Sequence, residues 1–118
     1  MINHKVKCAN FEIANDQPFT LIAGPCQLED EAHAIKMSTE LKKITSELGI
    51  NLIYKTSFDK ANRTSLNGKR GMGLEKSLPI FDKIRKETGL PVLTDVHTIE
   101  QCSMVADHVD VLQIPAFL

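Results

Sequence analysis

Short apolar runs alternate with helix-period stretches along this chain, and that alternation constrains its fold more than any other feature. Four runs, Thr20–Ala23, 52–54, 92–93 with Thr94, and 109–114, are of strand length and rich in β-branched residues. They are continuous in hydrophobicity rather than alternating, which suits parallel strands covered on both faces. Between them, Ala34, Met37, Leu41, Ile44 and Leu48 recur at three- and four-residue steps over 29–48, with Gly49 placed as a C-cap. Leu78, Phe81 and Ile84 repeat the pattern over Leu74–Thr88, closed by Gly89 and Pro91. A shorter helix is predicted over 98–107, with Thr98 as N-cap, Gln101 three residues on, and Cys102, Val105 and Ala106 facing inward. Strand then helix three times over, followed by a fourth strand, implies right-handed crossovers and a parallel sheet. Ahead of these, Val6 and Cys8 face Phe11 and Ile13 across Ala9-Asn10, with a second turn at Asn15-Asp16, so 1–17 reads as a β-hairpin.

At 118 residues the chain is one domain at most. A closed parallel (βα)8 TIM barrel needs eight strand–helix units and about 250 residues. Residues 18–118, with four strands and three helices, therefore read as the first half of such a barrel, and the chain as a piece of a larger protein. Hydrophobic residues at 42% and charged residues at 25% are ordinary for a globular protein, and a net charge of −1 excludes a basic coat for nucleic acid or an anionic membrane. No apolar run approaches the ~20 residues that span a bilayer. The start, MINHKVKCANFEIAND, lacks the apolar centre of a secretory signal, so a cytoplasmic protein is expected. Cys8, Cys26 and Cys102 form neither a C-x-x-C pair nor an even set, which predicts free thiols or, for one of them, a metal ligand.

Parallel α/β folds place ligands at the carboxyl ends of their strands. Here the four strands end in Gly24-Pro25-Cys26-Gln27, Lys55-Thr56-Ser57, Thr94-Asp95-Val96-His97, and Gln113 before Pro115. Four polar ends on one side point to one shared pocket. Between Lys55 and Lys76 lie six basic residues and two acidic ones, in a chain that is slightly acidic overall. Arg63-Thr64-Ser65 offers the fork and hydroxyls that a phosphate or carboxylate needs, and Lys55 shares its strand face with Ser57. The composition suits a site for two anionic groups as well as a plain solvated loop. Nucleic acid fits poorly, since the stretch holds one aromatic residue, Phe58. Asp95 and His97, two residues apart, point the same way, as a catalytic pair or a strand-end hydrogen bond would. His33 and His108 fall on predicted helices and read as structural, and Gly71 and Gly73 as a turn before a helix.

Taken together, Ala23-Gly24-Pro25-Cys26, the run from Lys55 to Ser65, Thr94-Asp95-Val96-His97 and the run from Asp110 to Leu118 resemble the 3-deoxy-D-manno-octulosonate 8-phosphate synthase family. The resemblance implies condensation of phosphoenolpyruvate with D-arabinose 5-phosphate, releasing phosphate, in lipopolysaccharide biosynthesis. It implies that Lys55, Ser57, Lys60 and Gln113 line the phosphoenolpyruvate pocket and that Asn62, Arg63 and Thr64 hold the sugar phosphate. Asp95 would contact sugar hydroxyls and Phe117 would wall the pocket, with Lys60, Asn62 and Asp95 the catalytic residues. Family members with Cys after Gly-Pro need a divalent metal ion, so Cys26 is implied as a ligand of Zn, Fe or Mn, a role a thiolate suits for the softer ions. The family's other metal ligands come from later strands, and its members are homotetramers. Two other readings compete: a class I aldolase with a Schiff base on Lys55 or Lys60, and an inactive half-barrel or interaction fragment whose uncovered strand favours self-association.

Overall fold

The computed structural model describes residues 2–59 and 73–116. An antiparallel hairpin of β1 (Val6–Cys8) and β2 (Phe11–Ile13) comes first, with Cys8 opposite Phe11. Ala9 opens its turn at φ 50°. Then follow β3 (Thr20–Ala23), α1 (Glu31–Leu48), β4 (Asn51–Lys55), α2 (Leu74–Thr88), β5 (Val92–Asp95), α3 (Ile99–Ala106) and β6 (Val111–Gln113). The last four strands form one parallel sheet in the order β3-β4-β5-β6, each strand joining beside its predecessor. The result is a mixed α/β fold, a sequentially wound parallel sheet with a separate hairpin.

The sheet separates two cores. On one side Ala34 of α1, Ile80, Phe81 and Ile84 of α2, and Val105 of α3 close over Tyr54 and Val92. Burial there pushes the Tyr54 phenol up to about 12, so it stays neutral. On the other side Cys8, Phe11 and Ile13 of the hairpin pack against Ile53, Leu93 and Val111. The central strand β5 is buried along its whole length, as a continuous apolar run predicts.

Helix ends follow their caps. The Asp30 side chain accepts from the His33 N–H at 2.7 Å to start α1, and Gly49, at φ 69°, closes it. Helix α1 therefore begins at Glu31 rather than at 29. Of its predicted apolar face, Ala34, Met37 and Leu41 pack in the helical core, but Ile44 is 50% and Leu48 67% exposed, while Ser38 and Thr45 are buried. The two hydroxyls tolerate burial because each donates to the helix's own backbone, Ser38 to the Ile35 carbonyl at 3.1 Å and Thr45 to the Leu41 carbonyl at 2.9 Å. Helix α2 keeps its sequence-predicted bounds although Pro79 lies inside it. Helix α3 ends at Ala106, which is exposed rather than inward-facing, and His108 lies in the turn beyond it, paired with Asp82 at 2.8 Å. Strand β6 is shorter than the predicted 109–114, because Val109 joins the helical core and Asp110 takes the first ladder position.

Candidate active site

Side chains two apart on a strand share a face, and in-register partners of a parallel pair lie side by side. Lys55 is in register with Leu93, and Asp95 with Gln113. Lys55, Asp95 and Gln113 therefore occupy the hairpin face of the sheet, beyond the apolar layer of Ile53, Leu93 and Val111. Ser57, two residues past Lys55, is fully buried and donates a hydrogen bond to the Asp95 carboxylate. Four of the sequence-predicted residues thus stand at the carboxyl ends of three adjacent strands, on one face.

Asp95 is the centre of this layer. His97 Nε2 lies 2.9 Å from its Oδ2, and both side chains are about nine-tenths buried, at 9% and 10% exposure. Burial alone pushes the Asp95 carboxyl up, but hydrogen bonds from Ser57 and His97 outweigh it and hold the group below the ordinary carboxylate range. Its other oxygen, Oδ1, and His97 Nδ1 are buried with no hydrogen-bond partner among the described residues. The Phe58 ring rests against the imidazole, centroids 5.6 Å apart and tilted by 50°. An ionised carboxylate with unused acceptor capacity can accept hydrogen bonds from hydroxyl groups, and Lys55 beside it supplies a cation for an anionic group.

The first strand reaches the same place by a close backbone approach. A Cβ on Gly24 would lie 1.8 Å from the Lys55 carbonyl oxygen, so only glycine lets β3 leave the sheet there. Gln27 then bridges Ser57 in parallel, and the Leu28 N–H donates to the Ser57 carbonyl at 2.8 Å. Cys26, next to Gln27, is exposed at this end of the sheet, a free thiol like Cys8 and Cys102. Among the described residues no three His, Cys, Asp or Glu side chains come together. Cys26 supplies one thiol, and a single donor does not by itself hold a metal ion. The basic stretch leaves and returns beside Ser57, since the Gly73 N–H donates to the Phe58 carbonyl at 3.0 Å.

The sequence profile of the DAHP synthetase I family matches residues 3–118. The chain belongs to that family. Proteins named 2-dehydro-3-deoxyphosphooctonate aldolase from Brucella anthropi, Chelativorans sp. and Mesorhizobium japonicum are each 60% identical to it over 116 residues. The match covers 98% of this chain and 42% of each relative, so the chain spans less than half the length of the curated relatives it matches.

Within this member of the DAHP synthetase I family, Lys55, Ser57, Asp95 and Gln113 are brought together, with Cys26 at the same end of the sheet. Lys60, Asn62, Arg63, Thr64 and Phe117 lie outside the described residues. His97 is a residue that the sequence reading noted but left out of the site. Its i, i+2 spacing from Asp95 was the available signal, and its contact with the Asp95 carboxylate makes it part of the same unit. No helix among the described residues is long and apolar enough to cross a membrane.

Proposed function

We propose that this chain supplies four of the eight strands of a parallel (βα)8 barrel enzyme that condenses phosphoenolpyruvate with D-arabinose 5-phosphate. The products are 3-deoxy-D-manno-octulosonate 8-phosphate and inorganic phosphate, made in the cytoplasm for lipopolysaccharide biosynthesis. One observation carries this reading: Lys55, Ser57, Asp95 and Gln113 form one polar layer at the carboxyl ends of adjacent parallel strands. The name shared by the relatives supports the choice of substrates.

In this reading Lys55, Ser57 and Gln113, with Lys60, hold the carboxylate and phosphate of phosphoenolpyruvate. Asn62, Arg63 and Thr64 hold the sugar phosphate, the Asp95 carboxylate accepts from sugar hydroxyls, and Phe117 walls the pocket. Fixing both substrates aligns carbon 3 of the enol with the aldehyde carbon, where the new C–C bond forms. The aldehyde oxygen takes up a proton, water adds at carbon 2, and the C–O bond to phosphate breaks. Lys60, Asn62 and Asp95 are the catalytic residues of this reading. Cys26 would give one thiolate to a divalent Zn, Fe or Mn ion, whose remaining ligands would come from elsewhere in the barrel. The assembled enzyme is a homotetramer.

The test is an assay of purified protein carrying this sequence. Phosphoenolpyruvate is expected to disappear only when arabinose 5-phosphate is present, with one phosphate released per molecule consumed. Lys55→Ala is expected to lower that rate about a hundredfold, the scale of truncating one partner of a desolvated charge pair. Turnover with erythrose 4-phosphate but not arabinose 5-phosphate would reassign the substrate. For the metal, a chelator is expected to remove activity, and continued full activity in chelator would overturn the role of Cys26.

A further inference from the structure

The turn between β5 and α3 departs from an ordinary capping box. In that motif the N-cap side chain accepts from the third helical residue, whose own side chain returns to the N-cap backbone N–H. Thr98 performs its half, with Oγ1 accepting from the Gln101 N–H at 3.3 Å. Gln101 does not perform the other. Its Oε1 accepts instead from the His97 backbone N–H, at 2.7 Å, one residue earlier in the chain.

We propose that Gln101 is a positioning residue for the site: by holding the His97 backbone it keeps the imidazole against the Asp95 carboxylate, with Nε2 carrying the proton that meets it. The inference rests on Asp95 facing substrate, as argued above. An ionised carboxylate only accepts, so the nitrogen 2.9 Å from Asp95 Oδ2 must carry the proton. The neighbouring groups are held by other contacts. The Val96 N–H donates to the Gln113 carbonyl at 3.0 Å, the Val96 side chain is in the helical core, and Phe58 covers the ring. The His97 backbone amide is the remaining handle, and Gln101 holds it. A glutamine serving only to start the helix would take the amide of Thr98. Nδ1 and Asp95 Oδ1, without partners among the described residues, leave this pair with hydrogen-bonding capacity that a purely structural network would have used.

Two variants test this, Gln101→Leu, which removes the acceptor, and Gln101→Glu, which keeps it. Ring nitrogen NMR of the whole enzyme carrying this sequence, without substrate, is expected to show a single Nε2–H tautomer at His97. Gln101→Leu is expected to mix the tautomers and to speed exchange of the His97 amide at least tenfold, while the α3 amides keep their protection because Thr98 still caps them. Gln101→Glu is expected to restore both signals. In the active enzyme Gln101→Leu is expected to lower kcat about tenfold with little change in KM, as loss of alignment does. An unchanged His97 tautomer in Gln101→Leu overturns the proposal. So does a ring change accompanied by equal loss of protection throughout α3, which would make Gln101 a helix-start residue. The spectroscopic readouts involve no substrate, so failure of the substrate assignment above is read separately, by the assay.

Discussion

A methyl group at position 24 would lie 1.8 Å from the Lys55 carbonyl oxygen, in a place where backbone rather than a flexible side chain is the obstacle. Gly24→Ala is therefore expected to cost about 2–3 kcal/mol, the range of overpacking in a well-packed interior, and to displace Lys55. Denaturant midpoints of the two proteins measure the first effect. Asp95 carries a different kind of energy. Its carboxyl lies below the ordinary value of about 4 in the folded state, so ionisation stabilises the fold. That contribution is full above the unfolded-state value and is lost as pH falls through the folded-state one. The stability gap between the wild type and Asp95→Asn is expected to be constant near neutrality and to shrink in acid, read from unfolding curves at a series of pH values. A gap that widens in acid would reverse the sign of the coupling. Local signals made several of these residues legible in advance: Thr98 as a cap, Gly49 as a stop, and Asp95 with His97 on one side of a strand. The bond from Ser57 to Asp95 was not legible, because it joins residues brought together only by strand pairing. Gly24 was named only as part of a strand end, and its close approach to Lys55 depends on a neighbour 31 positions away.

Strand β6 owes its register to one residue just before it. The Asp110 N–H donates to the Val92 carbonyl at 2.8 Å, and Asp110 Oδ2 accepts from the Val92 N–H at 2.9 Å, while Arg85 Nε lies 3.4 Å from the same carboxylate. This grip at the amino end of β5 fixes which residue meets Asp95 at the carboxyl end. Asp110→Ala is expected to cost about 1–3 kcal/mol, since it leaves the buried Val92 N–H unpaired. It should also loosen the pairing of Gln113 with Asp95, measurable as faster amide exchange along β6. Elements themselves were well anticipated where period and cap agree, as in α2 and in the hairpin. Helix α1 shows where that fails. Its apolar spacing placed Ile44 and Leu48 inside, but the packed face follows Ala34, Ser38 and Thr45. Hydroxyls that bond their own helix become neutral cargo in a core, and periodicity that counts only apolar side chains misses them.

At the scale of the molecule, the sheet is covered by helices on one face and by the hairpin on the other. Removing 1–17 is expected to uncover Ile53 and Leu93, to cost about 3 kcal/mol at the usual worth of a buried aliphatic or aromatic side chain, and to raise binding of a hydrophobic dye. Unchanged dye binding would mean that the hairpin does not shield this face. The parallel sheet and the shared end of its polar residues were readable from the alternation of runs alone. The role of the hairpin was not, because nothing in its own six strand residues says which face it will seek. Its position has a further consequence. Cys8, Phe11 and Ile13 seal the apolar layer of Ile53, Leu93 and Val111, so on this face the sheet beneath Lys55 and Asp95 is shielded from water by a segment only a few residues long.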